Sequence, residues 1–270
     1  MKFGIDISTY QNGINLENAK KEGIEFVIIR GSFTGSANKT FAKDDRFEEH
    51  YRNAKKAGLG VGVYHFSRAT NYEEGKKEAE FLYNNCLKGK KFEYPIYIDM
   101  EGDGDKNGDY NEAAKGFCDY IESKKGYAGI YCNLYWANNK IDYKRLSKDY
   151  DFWLAYWGKE QPKRSSYGNY GMWQFGGSTN LIRSNIIANM ICDQDYAYKN
   201  YPEIMNNMNL NDFEEKIEND TENNNDNTVD NGDDVDKNPN HNFFDILYNA
   251  IKKIANYLIK IFKKIKIKCI

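Results

Sequence analysis

Residues 94–101 read YPIYIDME, a run in which apolar and aromatic residues lead into two acids separated by one methionine. A short run of this character reads as a buried strand. Alternation along a strand sends residues i and i+2 to the same face, so Asp99 and Glu101 point the same way, roughly 6.5 Å apart along the strand.

Seven further runs share that character: Lys2 to Ile7 (KFGIDI), Phe26 to Gly31 (FVIIRG), Gly60 to Phe66 (GVGVYHF), Ala128 to Cys132 (AGIYC), Phe152 to Trp157 (FWLAYW), Gly171 to Phe175 (GMWQF) and Ile191 to Asp195 (ICDQD). Helical stretches stand between them. Residues 44–57 (DDRFEEHYRNAKKA) stop at Gly58, residues 72–86 follow Asn71 as an N-cap, and residues 111–124 place Ala114, Phe117, Cys118 and Ile121 at helical spacing. The alternation is that of βα units around a parallel sheet. Between the last four strands the connections are short or irregular. The expected fold class is therefore α/β, a modified (β/α) barrel with an incomplete set of helices, followed by an acidic linker and a C-terminal amphipathic helix.

In such barrels the C-terminal ends of the parallel strands converge on one face, where catalytic groups are held by the scaffold. The strand ends here carry Asp6, Arg30, Tyr64 with His65, Asp99 with Glu101, Tyr131, Tyr156, Gln174 and Asp193. Two carboxyls held close and partly desolvated cannot both ionise easily, so one becomes a proton donor near neutral pH. Glycosidic cleavage needs such a donor for the leaving oxygen and a second group for the oxocarbenium-like centre. A lone Asp-x-Glu reads more readily as a solvated surface pair or a metal ligand. Asp6 and Asp193 change that weighting, because the first and last strands become neighbours when a barrel closes.

Aromatic residues make up 15% of the chain, with 22 Tyr, and suit a cleft that stacks flat sugars. They offer stacking faces more than oxygen ligands, which counts against a cation site. Neither a metal nor a cofactor is expected. Three histidines and no Gly-x-Ser-x-Gly leave little room for a Ser or Cys triad, and no P-loop is present. His65 follows Tyr64 and should face the opposite side, as a structural residue. On the sixth strand Trp153 and Trp157 share one face with Ala155, and Leu154 shares the other with Tyr156. The reading assigns Tyr156 to the cleft. The expected site is thus Glu101, Asp99, Asp6 and Asp193 as catalytic residues, with Tyr64, Tyr131, Tyr156 and Gln174 contacting substrate.

Gly4 to Ser8 (GIDIS) with Gln11, GLGVGVYHF at 58–66, PIYIDME at 95–101, Gly129-Ile130-Tyr131, Phe152 to Tyr156, Trp173-Gln174-Phe175 and Cys192-Asp193 together resemble the Chalaropsis-type lysozymes, glycoside hydrolase family 25. The likeness runs from about residue 2 to 198 in the family's order. It implies a modified β/α barrel and N-acetylmuramidase activity on the β-1,4 bond after N-acetylmuramic acid in bacterial peptidoglycan. Glu101 would then be the general acid, and Asp99 would either orient the substrate's acetamido group or hold charge. Two departures stand out. Asp195 occupies a place where the family usually has Asn, which leaves Asp193 and Asp195 as rivals for one role. Arg30-Gly31-Ser32-Phe33 replaces the family's Lys-Ala-Thr-Glu, so no substrate-binding acid is carried over there.

The net charge of −2 hides a segregation. Residues 212–240 carry eleven acids and two lysines, residues 241–270 seven lysines and one acid, and the remainder is near neutral. No basic patch argues for nucleic acid. The expected organisation is a catalytic barrel over 1–202, an acidic Asn-rich linker over 203–241 too polar to fold, and a basic amphipathic helix over 242–270. In the last segment Phe244, Leu247, Ile251, Ile254, Leu258, Ile261 and Ile265 fall on heptad positions, so it would form a homo-oligomer, bind an anionic wall or membrane surface, or dock on its own barrel. Five cysteines without CxxC spacing read as reduced core thiols. The N-terminus lacks a signal-peptide pattern, from which the expectation is cytoplasmic accumulation and later release onto the wall, as for a bacteriophage endolysin or, alternatively, an autolysin.

Overall fold

The structure, a computed structural model, describes residues 1–36, 39–102, 107–168, 170–177 and 183–214. The chain begins with β1 (Lys2–Ile7), α1 (Leu16–Lys21), β2 (Phe26–Thr34), β3 (Phe41–Lys43), α2 (Phe47–Ala57), β4 (Gly60–Phe66), α3 (Tyr72–Leu82), β5 (Ile96–Asp99) and α4 (Tyr110–Ser123). It continues through β6 (Ala128–Asn133), α5 (Leu134–Asn139), α6 (Tyr143–Leu146), β7 (Asp151–Ala155), α7 (Arg164–Tyr167), β8 (Met172–Gly176), β9 (Ile186–Ile187), β10 (Met190–Ile191), β11 (Asp193–Ala197) and α8 (Tyr201–Met208).

Eight strands close a ring in the order β1-β11-β8-β7-β6-β5-β4-β2, sealed by the pairing of β1 with β2, while β3 hangs on β2 outside the ring. Seven of the eight run parallel. β11 is antiparallel to both of its neighbours, β1 and β8. All eight expected strands therefore exist, but the last runs the other way, and Asp193 reaches the mouth from the start of its strand. Period-two alternation carries no information about direction.

Alternation also divides the core in two. Phe26 and Ile28 of β2, Tyr97 of β5, Tyr131 of β6, Trp153 and Ala155 of β7 and Met172 of β8 fill the barrel interior. Their neighbours Val27, Ile29, Ile98, Ile130, Phe152 and Leu154 face outward and pack with the helices. Trp153 is the hub of the interior, with ring centroids 4.4 Å from Tyr131, 5.3 Å from Tyr97 and 6.2 Å from Tyr64.

The helical layer is thick over the first half and thin over the second. α2, α3 and α4 have 11, 11 and 14 residues, whereas α5, α6 and α7 have six, four and four. α2 stops because Gly58 takes φ 68°, a left-handed value that glycine adopts without strain. It begins at Phe47, not Asp44, because the Asp44 side chain accepts from the Arg46 and Thr9 amides instead of continuing a helix. Asn71 caps α3 by accepting from the Glu74 amide, as expected.

The barrel body extends past the boundary expected at residue 202. α8 lays Tyr201 and Met205 against the foot of the interior, and Asn211 and Phe213 are buried beyond it. Asn211 ties the segment down by donating 2.8 Å to the Tyr94 carbonyl and accepting 2.7 Å from the Tyr127 amide. The rest of the expected linker and the amphipathic helix at 242–270 lie outside the described residues. Cys86, Cys118, Cys132 and Cys192 are buried free thiols, in keeping with their reading as core residues. No described helix is long and apolar enough to cross a membrane.

Candidate active site

The mouth of the barrel gathers carboxylates from three strands. Asp6 near the end of β1 stands directly opposite Asp193 at the start of β11. Like charges placed opposite each other across a strand pair repel. β5 ends on Asp99, and Glu101 lies two residues beyond. Asp6 and Asp99 are 7% and 4% exposed, Asp193 is half-buried, and Glu101 reaches solvent.

One hydrogen-bonded chain runs from Asp6 toward Glu101. Gln174 of β8 donates from Nε2 to Asp6 Oδ2 at 2.9 Å. Its Oε1 accepts from the Tyr131 hydroxyl at 3.1 Å and from the Trp157 indole at 3.0 Å. The Tyr131 hydroxyl also lies 3.5 Å from Glu101 Oε2. A hydroxyl has one proton to give, and the shorter contact goes to Gln174, so Glu101 is only loosely held. Asp99 Oδ1 is buried and meets no hydrogen-bond partner among the described residues.

The electrostatics follow from this crowding. Burial, then Asp193 and Asp195, push the Asp6 carboxyl well above the usual range, and the Gln174 bond offsets only part of it. Burial and the neighbouring Glu101 do the same to Asp99, with Arg30 pulling the other way. Glu101 is raised by loss of water in the mouth, tempered by Tyr131. Burial and Glu101 push Asp193 up to about 6. Such acids titrate as a group, holding protons well into the range where a surface carboxylate has lost its own.

The structure brings together all four expected acids, with Tyr131 and Gln174 bonded among them. Tyr64 faces the same interior, its hydroxyl made less acidic first by burial and then by Asp6. It also separates the rivals: Asp193 lies at the mouth, whereas Asp195 lies one layer deeper, fully buried, accepting 2.8 Å from the Trp153 indole. His65 faces outward, as expected, bonded to Ser32 and Thr34 at 2.7 and 3.1 Å with Glu78 beyond.

Tyr156 is not part of this constellation. It is exposed, and its carbonyl accepts from the Trp173 indole, while Trp157 reaches Gln174. The signal for Trp157 was present, since alternation already put it on the face of Trp153. Gly177 was missed as well: a Cβ there would stand 1.7 Å from Asp193 Oδ1, so any larger residue would displace that carboxylate from its place in the mouth. Among the described residues no three His, Cys, Asp or Glu side chains converge closely enough to hold a metal ion.

Comparison with known proteins agrees with this geometry. Lysozyme M1 of Streptomyces globisporus is 27% identical over 187 residues, covering 65% of this chain and 62% of that protein. The autolytic lysozyme of Clostridium acetobutylicum is 28% identical over 183 residues, covering 66% and 52%. The chain thus spans less than two thirds of either relative. The crystal structure of the CTP1L endolysin superposes with a TM-score of 0.63 at 25% identity, over 77% of this chain and 70% of that one. The family model of the glycosyl hydrolases family 25 matches residues 5–182, a span that includes Asp6, Asp99 and Glu101 of the mouth, and the chain belongs to that family.

Proposed function

We propose that this chain is an N-acetylmuramidase that hydrolyses the β-1,4 bond between N-acetylmuramic acid and N-acetylglucosamine in bacterial peptidoglycan, in wall lysis of the endolysin type. Glu101 is the general acid. Its raised pKa keeps a proton available, its position at the edge of the mouth gives a glycosidic oxygen access, and its loose hydrogen bond leaves the carboxyl free to turn. As the C1–O bond breaks, the proton passes to the leaving oxygen. Water then completes the hydrolysis and returns a proton to Glu101.

Asp99 is the second group, and the observation that carries the proposal is its buried, unpartnered Oδ1 beside Glu101. A buried carboxylate oxygen without a donor costs folding free energy, and a donor arriving with the substrate removes that cost. The acetamido N–H of the sugar is such a donor. Asp6 and Asp193 stand opposite each other on the same wall of the site, and Asp6 is joined through Gln174 to Tyr131. The names of the relatives, both lysozymes, support this choice of substrate.

The test is digestion of purified walls by the wild type and by Glu101→Gln. The expected outcome is fragments with new reducing ends on muramic acid, and a loss of about a thousandfold in the variant. Reducing ends on N-acetylglucosamine would rule out a muramidase. Undiminished solubilisation by Glu101→Gln would leave a glycan-binding barrel whose acid lies elsewhere.

A further inference from the structure

Arg30 sits on the inward-facing row of β2, two residues beyond Ile28, which pairs with Asp6, and in register with Tyr64 of β4. It is thus a cation at the height of the acidic mouth, and its charge acts on both Asp99 and Tyr64. The side chain is clamped. Nε donates 2.7 Å to Asp44 Oδ2, with the two side chains 14% and 0% exposed. The same carboxylate is fixed by the amides of Thr9 at 3.0 Å and Arg46 at 2.9 Å. The guanidinium carbon lies 5.4 Å from the centre of the Tyr10 ring and 5.2 Å from that of Phe33.

A guanidinium carries five N–H donors in a rigid fork. Asp44 takes the one on Nε, and no described residue takes the other four. Phe33 meets the guanidinium with a ring, which takes none of its N–H groups in a hydrogen bond. The mouth is otherwise crowded with carboxyls, which repel an anionic ligand. A fork held rigid and left open beside them is suited to receiving such a ligand.

We propose that the open edge of Arg30 is a carboxylate-binding subsite of the cleft. This rests on the muramidase reading above and adds to it the group by which the glycan is recognised. That group is a carboxylate borne by the glycan, from either of two sources: the lactyl ether of a peptide-free muramic acid, or an attached stem peptide. Bidentate pairing of a guanidinium with a carboxylate supplies both strength and orientation.

The experiment measures binding of soluble glycans to the full chain carrying Glu101→Gln, so that nothing is cut, with and without Arg30→Lys. Lysine keeps a cation for Asp44 but loses the fork. Three ligands are compared: strands with stem peptides, peptide-free strands with lactyl carboxylates, and the same peptide-free strands with those carboxylates reduced to alcohols. Arg30→Lys should weaken binding of a carboxylate-bearing ligand about tenfold and leave the reduced strands unchanged. Weakening on the peptide-free strands names the lactyl group; weakening confined to the peptide-bearing strands names the stem. Tyr10→Ala, at a residue 80% exposed whose loss leaves the core intact, should weaken the same ligand by a smaller factor. Equal changes on all three ligands, or none on any, would overturn the subsite. Wild-type digestion of intact walls is read separately, and its failure would sink the muramidase reading instead.

Discussion

The barrel buries carboxylates at both ends and treats them in opposite ways. At the foot, Asp151 opens β7 with its side chain 1% exposed, and its oxygens accept from the Tyr201 hydroxyl at 2.7 Å, Lys199 Nζ at 2.9 Å, the Phe152 amide at 2.8 Å and the Tyr127 hydroxyl at 3.2 Å. At the mouth, Asp99 is buried as well, but one of its oxygens is unpartnered and its strongest neighbour is another acid. The same residue type serves as a structural anchor where its bonds are filled, and as a reactive group where they are withheld. Burial alone distinguishes neither.

The contrast predicts opposite outcomes for one substitution made at both ends. Asp99→Asn should lower the rate of wall cleavage by about a thousandfold, the range of a general-acid partnership. Its unfolding free energy should be unchanged or higher, because an unpaired buried acid is a cost the fold bears for function. Wall solubilisation and thermal unfolding on one preparation check both halves. A clear loss of stability would place Asp99 with the structural acids.

Asp151→Asn should do the reverse. An amide cannot pair with Lys199, and one of its edges donates where the carboxylate accepted, so a buried network loses partners. The expected cost is about 3 kcal/mol in chemical denaturation, with cleavage per folded molecule close to wild type. Loss of cleavage with stability intact would mean that the foot communicates with the mouth, and the division between the two ends would fail.

Much of this arrangement was legible in the chain. Eight strands and the inward direction of Asp6, Tyr64, Asp99, Tyr131 and Gln174 follow from alternation, because a side chain's face is a local property of a strand. The direction of β11 was not, since it depends on where the chain comes from after β8. Alternation groups Trp157 correctly with Trp153 and Tyr156 with Leu154, but does not say which of the two faces lines the cleft. What was lacking was the knowledge that Trp153 fills the barrel, which decides which face is inside. The late boundary at 203–214 has a similar cause. Asn211 and Phe213 sit in a polar stretch, and their burial comes from contacts with Tyr94, Tyr127 and Gly89, more than 80 residues away in sequence. The clamp on Arg30 was likewise hidden, because Asp44 lies 14 residues on, inside a stretch that reads as helix.

The smallest effect expected is also the one that separates the two ends by charge alone. Asp193 has a folded pKa pushed up to about 6, so its protonated form is the one the fold prefers. The stability it contributes is fully present below the ordinary carboxylate pKa and is lost as pH rises through about 6. Asp6, Asp99 and Glu101 are raised too and add in the same direction. Surface acids such as Glu17 and Glu25, whose pKa values are lowered by bonds to Lys56 and Lys2, work the other way, but only below their unfolded pKa of about 4.5. Between pH 7 and 5 the four raised acids of the mouth add stability on acidification, while His50, held below its usual range by burial, takes some away; with four groups against one, wild-type stability should rise before falling at lower pH. Asp193→Asn should remove about 1 kcal/mol of that rise, most of one pKa unit for a group partly reached by solvent. The readout is the denaturation midpoint at the two pH values for both proteins. If the variant gained as much as the wild type, the charge of Asp193 would be solvated at pH 7, and its burial beside Glu101 would have no energetic weight.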